Sequence, residues 1–214
     1  MLGADFRVNA LNRFSLYGQL ILDEFKFDRV FGDPSGWWAN KFGIQLGAKY
    51  FNVFGINNLD GVAEFNTVRP YTYGHRAKLT SYSNFNQPLA HPLGANFKEV
   101  IGKVNYQIGT KWILEANVGR MSYGEDVDST HWGGNILLPN AEREQDFNNT
   151  ISQGIDTDVW LININLSYMF GHDLFLDLEY NLRQQDSDLD SRDYSESYFG
   201  FAVRANIGRL KHLY

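Results

Sequence analysis

The sequence predicts an all-β fold, and more specifically an antiparallel transmembrane β-barrel of the outer-membrane type. Apolar and polar residues alternate with a period of two along most of the 214 residues, which places the two sets on opposite faces of strands. The alternating runs are about ten residues long, beyond the roughly 5–6 residues of a globular strand and close to the roughly 9–11 that cross a bilayer obliquely. Short turns and long polar loops also alternate along the chain, as they do in outer-membrane barrels.

The first half of the chain contains four alternating segments. A turn-rich loop at 31–38 separates the second segment from the third, and an Asp-Gly pair predicts a tight turn at 56–61 before the fourth. The predicted strands of this half cover residues 6–10, 14–22, 42–50 and 62–68.

The second half has the clearest alternation. Tight turns are predicted at Gly109 and Gly171, and long polar loops at 70–96, 124–156 and 184–195. The predicted strands cover residues 100–108, 112–118, 160–170, 174–182 and 199–207. The whole chain, 1–214, is therefore predicted to be a single β-barrel domain of about eight or nine strands, or part of a longer barrel.

The same alternation would arise in a soluble sandwich or a lipocalin-type barrel, in which the apolar residues point inward. Three features favour the membrane barrel: the loop asymmetry, aromatic residues near strand ends, and small residues among the polar positions. The aromatic residues are Trp37, Trp38, Trp112, Trp160, Tyr168, Phe170, Tyr180 and Tyr198. The small residues are Gly43, Gly47, Gly102, Gly119, Gly200 and Ala202.

Composition excludes several classes of protein. Without cysteine there is no disulfide framework and no thiolate metal site. A net charge of −6 and a pI near 5.3 argue against a nucleic-acid partner. No run of about 18 apolar residues predicts a membrane-spanning helix. The mean hydropathy of −0.36 suits a soluble protein, but also a barrel in which only alternate residues face lipid.

The segment 69–96 interrupts the alternation and holds three of the five prolines and two of the five histidines. A long, aromatic and proline-rich segment of this kind is typical of an ordered functional loop. Aromatic rings pack on the C–H faces of sugars, while amide and guanidinium groups bind hydroxyls, so the loop is a candidate glycan-binding site. The candidate residues are Tyr71, Tyr73, His75, Arg76, Asn86, Gln87 and His91. The alternative is a stiffened loop whose aromatic residues only plug the lumen or pack on the rim.

Other charged groups predict structure rather than chemistry. Inward charges of both signs are expected to pair across strands: Glu64, Arg69, Lys103, Glu115, Asp177, Glu179, Arg183 and Arg204. The acidic loop with Asp186, Asp188, Asp190 and Asp193 could hold Ca²⁺, but lacks the EF-hand glycine and glutamate, so a solvated loop is favoured. No HExxH, GxSxG, P-loop or GxGxxG motif occurs. The sequence therefore predicts no enzyme, no cofactor and no metal.

Two stretches carry a family resemblance: Glu64-Phe-Asn-Thr-Val-Arg-Pro-Tyr-Thr-Tyr-Gly-His75 and Asn86-Gln-Pro-Leu-Ala-His-Pro-Leu-Gly-Ala-Asn96. Together they resemble the capsule assembly Wzi family of outer-membrane proteins, in the branch that includes the gliding-motility protein RemB. The resemblance implies a closed barrel of about eighteen strands from a chain about twice this length, of which the present chain would be the C-terminal half.

The resemblance also implies a non-enzymatic role in the bacterial outer membrane, in attaching or organising surface or capsular polysaccharide, with a link to gliding motility. The expected partners are the polysaccharide and the lipid bilayer, with other outer-membrane proteins as further candidates. Two alternatives stay open at this point: a general porin or transport barrel, and a soluble carbohydrate-binding β protein.

Overall fold

The computed structural model describes residues 1–26, 28–29 and 35–206. The long strands are β1 (Leu2–Ala10), β2 (Phe14–Glu24), β3 (Lys41–Tyr50), β4 (Leu59–Val68), β7 (Phe97–Ile108), β8 (Trp112–Glu125), β9 (Ile155–Gly171), β10 (Leu174–Ser187) and β11 (Tyr194–Ala205), and the short strands β5 (Ser83–Asn84) and β6 (Gln87–Pro88) lie between β4 and β7. Single 3₁₀ turns occur at Val53–Gly55, Lys78–Thr80, Asn140–Glu142 and Asp190–Arg192. The prediction of an all-β fold is confirmed.

The nine long strands form one antiparallel sheet in chain order, and β5 pairs with β6 in a separate small hairpin. Within the described residues the sheet is open, because β1 and β11 are its two edges. No helix in the described part of the chain is long and apolar enough to cross a membrane.

The register gives the sheet two different faces. Leu46 pairs with Gly18 on one side and Phe65 on the other, and Phe65 pairs in turn with Val100. The apolar positions of neighbouring strands therefore lie side by side, from β1 to β11, on what we call the apolar face. The alternate positions, such as Gln45, form the polar face.

Hydrogen bonds between side chains run along the polar face. Glu64 accepts hydrogen bonds from Tyr17 at 2.6 Å, from Gln45 at 3.1 Å and from Asn66 at 2.9 Å. Asn163 donates in the same way to Glu179 at 3.2 Å. These charge-assisted bonds, all but that of Asn66 between strands, bind the carboxylates through uncharged donors.

The predicted pairing of inward charges is confirmed at one place and wrong at another. The Arg204 guanidinium donates to both carboxylate oxygens of Asp177, at 2.8 and 3.2 Å. Arg69 instead leaves the sheet and donates to the backbone oxygens of Asn40 and Asn149. Arg69 therefore joins loops rather than strands, since it follows the last residue of β4.

Several strands are longer than the alternation predicted. The predicted loop at 184–195 is wrong: Gln184 pairs with Trp160, Gln185 pairs with Tyr194, and only 188–193 connects β10 to β11. The loop predicted at 124–156 likewise shrinks to 126–154. Polar residues on both faces erase the period-two signal there, although the backbone pairing continues.

Two smaller predictions were also wrong. Asp60 and Gly61 lie inside β4 rather than in a turn, and the connection from β3 is 51–58. Gly102 pairs with Ala63 and Val118 and so lies on the apolar face, unlike the other small residues named above. Ile207 and residues 31–34 of the predicted loop lie outside the described residues.

The two ends of the sheet differ in the length of their connections. At one rim the connections are 11–13, 51–58, 109–111 and 172–173. At the other they are 25–40, 69–96, 126–154 and 188–193. The predicted asymmetry between short turns and long loops is thus present. We call the segment 69–96 the first long loop and the segment 126–154 the second long loop. Both lie at the same rim.

A glycine on the polar face tests how tightly this face is packed. The Tyr17 ring lies directly over Gly47, where a Cβ atom would overlap it, whereas a Cβ at Gly119 would meet only the Leu161 Cβ at 3.9 Å. Gly47→Ala is expected to displace Tyr17 from Glu64 and to lower the free energy of unfolding by about 1–3 kcal/mol. Urea titration followed by tryptophan fluorescence measures this loss, with Gly119→Ala as the matched control. Equal midpoints for the two variants would contradict the packing described.

Candidate functional site

Both long loops fold onto the polar face at their rim of the sheet. A small hydrophobic core forms there between loop residues and the ends of β4 and β7: Val68, Tyr73, Ala95, Phe97 and Ile136, with Ile21, Leu93, Tyr123 and Leu137 packed around it. The most buried part of the described protein is therefore under the loops and not between strands.

Tyr71, a predicted glycan-binding residue, joins the two long loops. Its side chain is 1% exposed, and its hydroxyl donates to the His131 backbone oxygen at 2.9 Å. Its ring meets those of His131 and Trp38 edge to face, at centroid distances of 5.1 and 6.3 Å. Burial raises the pKa of Tyr71 to about 12. Tyr71 is thus a packing residue, which no ligand can reach without opening the loops.

Asn96 fastens the first long loop to the second through its amide. Its Nδ2 donates to the backbone oxygens of Gly124 at 3.2 Å and Gln153 at 2.8 Å, and its Oδ1 accepts from the Gln153 backbone N–H at 3.2 Å. The residue is fully buried, with a φ of 61° that asparagine tolerates better than most residues. Its role was missed in the sequence, where it only ended the loop.

A cavity of about 230 Å³ lies between the first long loop and the polar face of β2, β3 and β4. Of the predicted residues, Tyr73 and His91 line it. The rest of the lining is Gln19, Ile21, Gly43, Ile44, Gln45, Asn66, Val68, Tyr82, Leu89, Ala90 and Phe97. We call this space the loop cavity.

Tyr73 is the most buried polar side chain that lines the loop cavity. Its backbone N–H donates to Asp23 at 2.9 Å, and its ring lies 5.9 Å from that of Tyr82. Gly43 makes room for it, because a Cβ there would come within 2.9 Å of the Tyr73 hydroxyl. Burial raises the pKa of Tyr73 to about 12.

The far wall of the loop cavity is a chain of hydrogen bonds. Asn66 donates through Nδ2 to Glu64 at 2.9 Å and to Glu99 at 3.1 Å. The His91 Nε2 lies 3.1 Å from Glu99, while its Nδ1 accepts the Leu93 backbone N–H at 3.2 Å. The network thus assigns the proton to Nε2. His91 also stacks on Phe97 at 4.4 Å, so its ring is held on three sides.

The other predicted residues lie outside the loop cavity. His75 sits between two carboxylates, 3.4 Å from Asp23 and 3.5 Å from Glu24. Arg76, Asn86 and Gln87 are exposed; Asn86 lies in the turn of the small hairpin, with a φ of 59°. The seven predicted residues therefore do not form one site. They divide into a packing residue, two cavity residues, one residue in an ion cluster, and three on the surface.

The cavity residues that were missed come from strands and from the middle of the loop. Gln45 and Asn66 pair across β3 and β4, and Gln19 pairs with Gln45 from β2. Alternation alone would have placed each of them on the polar face. Their meeting at one depth depends on the register, which the sequence does not state.

A second, larger cavity of about 380 Å³ lies on the polar face of β7 to β11. Its walls include Ile101, Met121, Leu161 and Tyr198. Glu99 lines this second cavity and is also hydrogen-bonded to Asn66 and His91 of the loop cavity.

The acidic loop uses its carboxylates to build its own turn. Asp193 accepts the Ser187 backbone N–H at 2.9 Å, and Asp188 accepts that of Asp156 at 3.2 Å. Among the described residues, no group of three or more histidine, aspartate or glutamate side chains is arranged to hold a metal ion.

The chain matches no protein-family model, and no curated protein shows significant similarity to it. The resemblance to the Wzi family therefore stays a prediction. What the fold and site supply is a large antiparallel sheet with an ordered, loop-covered cavity at one rim.

The contact between the loops can be tested at Asn96. Asn96→Ala removes three hydrogen bonds, each worth about 1 kcal/mol net, and leaves buried backbone groups unpaired. We expect the free energy of unfolding to fall by about 2–4 kcal/mol and amide hydrogen exchange in 126–154 to accelerate. Asn105→Ala, at an exposed position of β7, is the control. Unchanged exchange in the second long loop would show that the amide does not hold it.

Proposed function

We propose that the chain is part of an outer-membrane β-barrel that holds surface polysaccharide at the loop-covered end of its lumen. The observation that carries this proposal is the uncovered apolar face. Leu46 is 50% exposed, Val100 56% and Phe201 68%. In a soluble sandwich or lipocalin-type barrel this face would be buried, whereas here the loops cover the opposite one.

The middle of the apolar run shifts in register from each strand to the next, and this shift supports a barrel in a membrane. Gly18, at the middle of the apolar run of β2, is linked by direct pairing to Gln184 of β10, through Leu46, Phe65, Val100, Arg120 and Trp160. The middle of the apolar run on β10 is Leu178, six residues away. A shift of one residue per strand corresponds to about 35°, from spacings of about 3.4 Å along and 4.8 Å between strands. Strands of membrane barrels tilt by a similar angle.

Aromatic residues on the apolar face at the short-turn rim also support a barrel in a membrane. The rings of Trp112 and Tyr168 lie 4.6 Å apart, and those of Phe14 and Tyr50 stack at 4.2 Å, all near the short-turn rim. Aromatic girdles occupy such positions in outer-membrane barrels. Two predicted girdle residues do not belong there, because Tyr198 lines a cavity on the polar face and Trp38 packs on Tyr71.

The number of strands supports a part of a larger barrel. In an antiparallel sheet of nine strands, β1 and β11 run in the same direction, so closing one directly onto the other would require parallel pairing. An all-antiparallel closure requires an odd number of further strands. This agrees with the expectation from the Wzi resemblance that the present chain is one half of a barrel.

The polysaccharide-binding role rests on the chemistry of the loop cavity. Tyr73 and Tyr82 offer rings and hydroxyls, and Gln19, Gln45 and Asn66 offer planar amides. This is the combination that binds a sugar through its C–H face and its hydroxyls together.

A porin is the second candidate, but two long loops packed on the polar face narrow the lumen, so little conductance is expected.

The membrane proposal is tested by a pair of arginine substitutions on β7. Val104 lies on the apolar face and is 41% exposed, while its neighbour Asn105 lies exposed on the polar face. If Val104 faces water, Val104→Arg should change the free energy of unfolding little. If Val104 faces lipid, the substitution is expected to lower the free energy of unfolding by about 2–4 kcal/mol. The readout is the fraction that resists trypsin in liposomes and migrates as folded protein on an unheated gel; equal behaviour of Val104→Arg and Asn105→Arg would rule out lipid contact.

The glycan-binding proposal is tested at Tyr82. Its side chain is 41% exposed, so Tyr82→Ala should fold normally, yet it removes one aromatic wall of the loop cavity. We expect affinity for isolated surface polysaccharide to fall about tenfold, equivalent to about 1.4 kcal/mol. Tyr198→Ala is the matched control, at an exposed tyrosine of the second cavity. If Tyr198→Ala weakens binding and Tyr82→Ala does not, the loop cavity is not the site.

A further inference from the structure

Several amide N–H groups of the loop cavity are bound to carboxylates, which leaves the oxygens of those amides as hydrogen-bond acceptors. Asn66 gives both of its N–H bonds to carboxylates, one to Glu64 and one to Glu99. Gln45 gives one to Glu64. No donor among the described residues is bound to the Asn66 Oδ1 or the Gln45 Oε1, so these oxygens are the groups left for a ligand.

The donors that remain are tyrosine hydroxyls, the second amide N–H of Gln45 and the amide of Gln19, whose side chain makes no hydrogen bond within the described residues. The Tyr73 hydroxyl makes no hydrogen bond to any residue in the described part of the chain, so its O–H is available to a ligand. His91 contributes no free N–H, since Nε2 is bound to Glu99 and Nδ1 accepts from Leu93. The cavity thus combines several acceptors with hydroxyl groups that can donate or accept.

The charged groups bonded to the lining of the loop cavity are carboxylates. None of the described side chains that line it is a lysine, arginine, aspartate or glutamate. Directly behind the lining lie the carboxylates of Glu64 and Glu99. The nearby Lys41 is fully buried and bound to Glu24 at 3.2 Å and the Gly74 oxygen at 2.9 Å, so its charge is already paired.

We propose that the loop cavity binds an uncharged glycosyl residue and discriminates against uronic acids. The inference rests on the proposed function and specifies its substrate class. A sugar hydroxyl can donate to the Asn66 and Gln45 oxygens, whereas a carboxylate only accepts and would face these oxygens with the carboxylates of Glu64 and Glu99 behind them. The volume of about 230 Å³ is below the roughly 300–1,000 Å³ of sites for drug-sized ligands, which suits a single sugar ring.

Matched oligosaccharides test this selectivity. The probes are gluco, galacto and manno oligomers, each paired with the uronate oligomer of the same length and linkage, titrated calorimetrically into the folded protein. We expect at least one neutral oligomer to bind about tenfold or more tightly than its uronate partner. Tighter or equal binding of the uronates overturns the inference but leaves glycan binding intact. Binding of none of the six overturns the proposed function at this cavity, and the inference with it.

A charge substitution separates electrostatics from shape. Gln45→Lys places a cation on the cavity wall beside Glu64, and is expected to reduce the preference for the neutral oligomer about tenfold or more. Gln107→Lys adds the same charge to the polar face of β7, away from the cavity, and should leave the preference unchanged. Circular dichroism confirms that both variants are folded. An unchanged preference in Gln45→Lys would overturn the electrostatic reasoning.

Discussion

Every feature of this fold depends on the opposite direction of successive side chains along a strand. Because the nine strands keep their register except at the end of β2 and the start of β10, a period of two in the sequence becomes two continuous surfaces of different chemistry. One surface is apolar and uncovered. The other carries amides and carboxylates, and only there do the long loops find partners. A one-residue slip in any strand would move the polar side chains of that strand to the apolar face, and the loops would lose them as packing partners.

The loops are ordered by polar side chains from the strand ends, and not by hydrophobic burial alone. Asp23 accepts the Tyr73 backbone N–H, and buried Lys41 donates to the Gly74 backbone oxygen. Asn96 satisfies three backbone groups of the facing segments. A long loop buried against a sheet must have its backbone groups satisfied, and here charged and amide side chains do so. The small core around Phe97 then completes the packing.

The sequence predicted what depends on alternation and missed what depends on register. Leu46 and Gln45 could be assigned to opposite faces from their neighbours alone. The continuation of β10 through Gln184 could not, because polar residues occur on both faces there while pairing with β9 and β11 persists. The loop cavity was also beyond the sequence, since Asn66 reaches Glu99 only through a pairing of β4 with β7 across 33 positions of chain.

The dependence on register also explains why the order of the first long loop could be predicted from the sequence, whereas the contacts of its individual residues could not. Its aromatic and proline content predicted an ordered segment, and it is ordered; its residues did not predict which would be free. Tyr71 and Tyr73 differ by two positions, yet the hydroxyl of Tyr71 is bound to the second long loop while that of Tyr73 opens into the cavity.

The chemistry left in the loop cavity follows from the requirements of the polar face. Glu64 and Glu99 have no cation within the hydrogen-bond network that surrounds them, so they take N–H donors from Asn66 and, in one case each, from Gln45 and His91. The oxygens of the Asn66 and Gln45 amides accept no hydrogen bond within the described residues, so they stay available as acceptors. The acceptor-rich lining is therefore a consequence of stabilising two carboxylates on an inner surface. Stability of the sheet and the selectivity that we propose for the cavity have the same physical origin, so a substitution that alters one is expected to alter the other.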